Sequence, residues 1–263
     1  MESKERKIEQ FDPNSPGLID GNIFGLPFSF EESNLVVIPV PWDLTASFGR
    51  GTGNAPTQIA TASLQVDLYD ADYPNGWKEG FFMLDIPSSF QELNKQLNAK
   101  SREVIRLLEA GEDVSNPTIK ASLEKVNEAS EQMREWVLEQ SQKMIKHGKH
   151  VIVLGGDHSS SLGLMQALSV EKPGFGILQI DAHADLRESY EGFKLSHASV
   201  MYHAIQLDGM KKLVQAGIRD LCEEEMTRIE SGEYPIELFS DRYIKDAMME
   251  GRHFSSICDE LVD

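Results

Sequence analysis

The stretches HVIVLGGDHSSSLG, residues 150–163, and GILQIDAHAD, residues 176–185, decide the fold, because each leads from a short apolar run into polar side chains. His150 to Leu154 and Gly176 to Ile180 read as buried strands, rich in Val, Ile and Leu and punctuated by glycine. A helix from about Ser160 to Leu168 separates them. Strand, helix and strand in so short a span make a βαβ unit, which puts the two strands in parallel.

Working outward, the alternation repeats. Upstream, Leu35 to Val40 (LVVIPV) is a β-branched strand that enters the loop PWDLTASFGRGTGN, and Pro56 to Leu64 follows as a helix with proline at its start. Phe81 to Leu84 is another strand, ending at Asp85. From Ser89 to Gly148 the chain reads as mostly helical. Ile119, Leu123, Val126, Met133, Val137 and Met144 form a stripe at three- and four-residue spacing, the mark of a helix face packed on a sheet, and Gly148 is a C-cap candidate.

Downstream come a helix near Ser199 to Gln206, a strand from Leu213 to Ile218, a helix from Glu223 to Ile229, a sixth strand from Tyr234 to Phe239 and two more helices. The expected fold is α/β, a three-layer αβα arrangement around a parallel sheet. Residues 1–34, polar and rich in Pro and Gly, are expected to be an N-terminal arm or cap, and residues 35–263 one domain.

Composition narrows the function. The net charge of −18 argues against nucleic acid, since a phosphate binder needs a basic face. An acidic surface suits a small cationic substrate through steering, and also serves solubility. Cys222 and Cys258 lack metal-ligand spacing and make no disulfide framework, so a reducing compartment is expected. The charged start MESKERK is not a secretory signal, and no apolar run reaches membrane-span length. The expectation is a soluble cytoplasmic protein without a membrane partner.

The chemistry sits after the two strands, where parallel sheets gather functional groups. Were the strand to stay extended beyond Ile180, Asp181, His183 and Asp185 would share one face at i, i+2 and i+4, with small Ala182 and Ala184 between them. Imidazole with carboxylates suits a divalent ion such as manganese, and no thiolate stands nearby to favour zinc. Taken singly, GGDH is an ordinary helix N-cap and DAH an ordinary polar loop. Together, after successive strands, they point to a metal site.

At these residues the chain resembles the ureohydrolase family of arginases and agmatinases. GGDHS and DAHAD are two of that family's three signature motifs, and DLRESYEGFKLSHASVMYHAI looks especially like agmatinases; GIRD, Gly217 to Asp220, also fits. The loop PWDLTASFGRGTGN and a helical insertion between about Asn94 and Gln132 depart from the commonest pattern. The resemblance implies two manganese ions, one on His158, Asp181 and Asp185, the other on Asp181 and His183, with Asp181 bridging. It implies hydrolysis of a guanidino group, agmatine to putrescine and urea above all, and makes His197 the proton shuttle to the leaving amine. His203 carries no motif support and reads as structural. A trimer or hexamer is implied by the same resemblance.

The family's third motif, which resembles Ser-Phe-Asp-x-Asp-x-x-Asp-Pro, does not occur; Asp259, Glu260 and Asp263 lie in a segment that reads as a helix. The chain is therefore expected to be a piece ending before that motif, weak in activity and poor at holding the second ion. The resemblance also implies an eight-stranded sheet, of which about six strands are present. The two absent ones belong to its middle, so exposed edges are expected on both sides of a gap. Alternatives are a hydrolase of guanidine or another small guanidino compound, and a non-catalytic subunit of an oligomer. An arginase and a metal-dependent deacetylase of related fold match less well.

Overall fold

The computed structural model describes residues 3–262. Six strands fall among them: β1 (Leu35–Val40), β2 (Phe81–Met83), β3 (His150–Gly155), β4 (Gly176–Ile180), β5 (Lys212–Ile218) and β6 (Ile236–Ser240). The sixth strand starts later than the sequence suggests because Pro235 has no N–H to give the ladder. All pairings are parallel, and they form two three-stranded sheets with orders β2-β1-β3 and β4-β5-β6.

The helices are α1 (Lys4–Gln10), α2 (Ala55–Ala62), α3 (Ser88–Glu109), α4 (Pro117–Lys146), α5 (Leu162–Glu171), α6 (Val200–Ala204), α7 (Glu223–Glu230), α8 (Asp241–Met249) and α9 (Phe254–Val262). The long helical region divides in two, with Gly111 in the left-handed region after α3 and Asn116 capping α4 by accepting from Thr118 N. Every member of the Ile119 to Met144 stripe is buried. Asp259 and Glu260 lie in α9 as expected, while Asp263 falls outside the described residues. Among these residues no helix is long and apolar enough to cross a membrane.

Side chains of β1 alternate between two layers. Val36, Ile38 and Val40 pack with α3 and α4 in the largest core cluster, whereas Val37 joins Ile23 and Met83 on the other face. Each such burial is worth about 1.5–3 kcal/mol. The N-terminal residues pack closely: Leu26 and Phe28 are buried with Trp77, and Lys7 Nζ lies 2.7 Å from Glu32 Oε2.

Among the described residues no backbone ladder joins β3 to β4. Ile152 of β3 is 39% exposed, and Leu178 and Ile180 of β4 are 48% and 82% exposed. These are the apolar edges expected on either side of a gap. The two halves are joined instead by packing of α5 on α4 and by side-chain hydrogen bonds such as that from Asn127 Nδ2 to the carbonyl oxygen of Gly192.

Candidate metal centre

Each half of the molecule contributes one wall of the centre. The chain leaves β3 through Gly155 and Gly156, where a Cβ on Gly156 would fall 2.0 Å from the carbonyl oxygen of Trp42. Only glycine lets the turn lie that close to the loop leaving β1, and Asp157 N donates to that carbonyl at 2.8 Å. Asp157 is buried in the cavity wall, and its carboxylate caps the next turn, accepting from Ser159 N at 3.0 Å and from Thr45 Oγ1 at 2.8 Å. His158 opens that single 3₁₀ turn, from which α5 continues.

The opposite wall begins where β4 ends. Asp181 accepts from its own neighbour, His183 N, at 3.1 Å and from Gln179 Nε2 at 3.3 Å. That local turn compacts the loop, so extension stops at Ile180 and the one-face alternation of Asp181, His183 and Asp185 does not form. Asp185 adopts φ +55°, a left-handed conformation that costs a non-glycine residue energy and is held by its surroundings. Its carbonyl accepts from Met201 N and Tyr202 N at 3.0 and 3.2 Å. The next residue, Leu186, donates its N–H to Oε1 of buried Glu225 at 2.9 Å.

The strained turn swings Asp185 back towards His158. His158 Nδ1 lies 2.6 Å from Asp185 Oδ2 and 3.2 Å from Asp181 Oδ2. One potential donor atom from each of the three residues falls within 4.8 Å of the others. Burial pulls the His158 imidazole down, but hydrogen bonds to both carboxylates outweigh it and raise the pKa to about 9. Burial likewise pushes Asp181 up, and the hydrogen bonds from His158, His183 N and Gln179 hold it far below the usual carboxylate range. Asp185, more deeply buried, stays raised despite the His158 hydrogen bond. The pocket concentrates negative charge where a cation fits, and its two carboxylates and imidazole form a donor set suited to a divalent ion.

His183 stands apart from this trio. Its ring is 60% exposed, with Nδ1 3.7 Å from Asp181 Oδ1 and Nε2 3.6 Å from Asp220 Oδ2. It therefore borders the cluster at Asp181 while facing the end of β5. His197 lines the same cavity of about 580 Å³ as His158, His183 and Asp185. Its ring meets Tyr190 edge-on at 5.9 Å, and its buried Nδ1 has no hydrogen-bond partner among the described residues. His203 Nε2 instead lies 2.9 Å from the carbonyl oxygen of Lys194, as a structural histidine would.

Several supporting residues escaped the sequence reading. Gln215 Nε2 donates to Gln179 Oε1 and to the carbonyl oxygen of Ala184, so paired glutamines on β4 and β5 shape the Asp181 loop. Glu225 also accepts from Cys222 N at 2.9 Å and faces Arg187 Nε at 3.8 Å. A Cys-x-x-Glu spacing before a helix was the signal available for it, since an acid three residues on closes a capping box. Asp220, two residues beyond β5, was legible in the sequence only as the end of GIRD, without a role.

The Arginase family model matches residues 33–261. An agmatinase of Bacillus anthracis is 29% identical over 199 residues, 75% of this chain and 56% of that protein. An N(1)-aminopropylagmatine ureohydrolase of Thermus thermophilus is 29% identical over 197 residues, 75% of this chain and 55% of that protein. The chain thus spans about half the length of these curated relatives. Among solved structures, an agmatine ureohydrolase of Thermoplasma volcanium aligns with a TM-score of 0.59 at 24% identity, covering 95% of this chain and 72% of that one. A Trypanosoma cruzi formiminoglutamase, described with Mn²⁺, aligns with a TM-score of 0.58 at 12% identity, covering 87% and 68%. At these identities the structures establish a shared fold.

Proposed function

The chain belongs to the arginase family, and from that premise we propose that its centre holds manganese and serves hydrolysis of a guanidino group, agmatine giving putrescine and urea. The observation that carries this reading is the convergence of His158, Asp181 and Asp185 beyond the ends of β3 and β4. The donor chemistry fits one divalent ion directly; a second would share Asp181 and take His183. When bound, the metal supplies positive charge that lowers the pKa of water and makes it a nucleophile at neutral pH.

The chain's own residues do the rest. The reaction balances as guanidinium plus water giving urea and an ammonium, so a proton must reach the leaving nitrogen as its bond to carbon breaks. His197 stands in the same cavity and is assigned that transfer, for which an imidazole is suited near neutral pH. Asp185 and Asp181 keep the cavity anionic, which favours a cationic substrate. Glu225 orders the Leu186 and Arg187 segment behind them.

Agmatine is preferred because relatives named for agmatine and aminopropylagmatine chemistry lead the resemblance. Free Cys222 and Cys258 support a reducing, cytoplasmic setting, and a homotrimer or hexamer remains part of the reading by family resemblance. Manganese content by elemental analysis is the first test and urea release the second, with agmatine, guanidine, arginine and guanidinobutyrate as substrates. At least one tightly held manganese per chain is expected, with agmatine the best source of urea. Faster release from guanidine would replace agmatine with the smaller substrate. A chain that takes up no manganese would overturn the reading.

A further inference from the structure

His158 and His197 come from segments far apart in the chain, yet the reaction proposed above needs both at one cavity. The present inference rests on that reading for its purpose, though not for its test. Between the two segments lies Thr45, in the loop of residues 41–54 that leaves β1. Thr45 is fully buried. Its Oγ1 donates to Asp157 Oδ2 at 2.8 Å and accepts from the backbone N of His197 at 3.2 Å. Asp157 is the cap of the turn that begins with His158. One hydroxyl therefore uses its donor on the ligand-bearing turn and a lone pair on the His197 segment.

The loop that presents Thr45 is itself braced. Asp43 accepts from Gly51 N at 2.9 Å, Gly53 N at 3.3 Å and Asn94 Nδ2 at 2.9 Å. Arg50 Nη2 donates to the carbonyl oxygen of Leu44 at 3.1 Å and to Ser101 Oγ at 2.8 Å. Asn94 and Ser101 both lie on α3, so a helix that lines no part of the metal centre anchors the loop reaching into it. The His197 imidazole has a buried Nδ1 with no partner among the described residues. That residue accordingly depends on its backbone contact and on the packing of Tyr190.

We propose that Thr45 is a positioning residue whose hydroxyl fixes His197 relative to the turn carrying His158. Valine at this position keeps the shape and loses both hydrogen bonds; serine keeps both. The test is amide hydrogen exchange by NMR on the whole chain, comparing Thr45→Val and Thr45→Ser with the parent. In Thr45→Val the His197 amide is expected to exchange about tenfold faster, the rate equivalent of one lost buried hydrogen bond. The Ile38 amide in β1 is expected to keep its parental rate, and Thr45→Ser to restore His197. A purely structural role would instead speed exchange in β1 as well.

Unchanged exchange at His197, or a rise shared by β1 that serine does not reverse, overturns the assignment. Should the valine variant not fold, Thr45→Ala removes the hydroxyl and both of its hydrogen bonds without a branched side chain in its place. Faster exchange at His197 is expected there too, and no change overturns the assignment. Exchange is read without substrate, so a chain that releases no urea would count against the guanidino reading alone.

Discussion

The two sheets are built alike and finished differently. Each has one central strand, β1 or β5, with a nearly continuous buried face, as parallel strands between helix layers require. Around β1 the long helices α3 and α4 pack a large core, to which the edge strand β3 adds the partly buried Val151 and Val153. Around β5 the helices are short, and β4 carries Leu178 and Ile180 in the open. The candidate metal centre straddles this divide, with His158 following β3 of one sheet and Asp181 and Asp185 following β4 of the other. Its geometry thus depends on side-chain ties across a boundary that no backbone ladder crosses. Thr45 is one such tie. Asn127 of α4 is another, donating to the carbonyl oxygen of Gly192 and accepting from Lys194 N.

The largest effect is expected where the two halves meet chemically. Asp181→Asn removes the carboxylate that faces both His158 and His183, and should weaken manganese binding by about 100-fold or more, since even residues behind a ligand shell cost 10- to 100-fold. Isothermal titration measures it, and near-parental affinity would mean that the halves do not meet through metal. Next in size is pH. A proton on His158, held to a pKa of about 9, competes with the ion, so affinity should rise roughly tenfold per pH unit up to about 9 and level off above it. Stability without metal should move the other way. The raised pKa contributes stability that is full below about 6.5, the unfolded value, and is lost as pH rises through about 9. Titrations and melting curves between pH 6 and 10 would separate the two trends.

Legibility in the sequence followed the same divide between periodic and irregular backbone. The apolar runs and the Ile119 to Met144 stripe announced the elements because burial leaves a period of 2 or 3.6 in the side chains. His158, Asp181 and Asp185 were legible because they sit in short motifs directly after strands. The outward turn of His183 was not, because it follows from Asp181 accepting its neighbour's N–H and from Asp185 entering the left-handed region. Thr45 was invisible for a simpler reason. Its two partners lie 112 and 152 residues away, in a loop whose sequence has no periodicity to read.

A third change probes how firmly the halves are docked. Gly163 at the start of α5 lies against α4, where an added Cβ would meet the carbonyl oxygen of Arg134 and the N of Leu138 at 2.7 Å each. Both are backbone atoms, so the helices must move apart. Gly163→Ala is expected to cost about 1–3 kcal/mol, as overpacking does, and urea denaturation would read it. A smaller loss would mean that α5 shifts freely and that docking lies elsewhere.

The smallest effect tests the exposed edge itself. Ile180 ends β4 with 82% of its surface open, directly before Asp181, and its side chain belongs to none of the buried clusters. An apolar, unpaired parallel edge invites pairing with another chain, and natural sheets discourage this with charge. Ile180→Lys should therefore leave the melting temperature of the dilute chain nearly unchanged while reducing self-association, read by light scattering as protein concentration rises. A marked loss of stability in the dilute chain would show that Ile180 packs in solution. The contrast between the half-buried end of β3, at Leu154 and Gly155, and the open end of β4 would then need a different explanation.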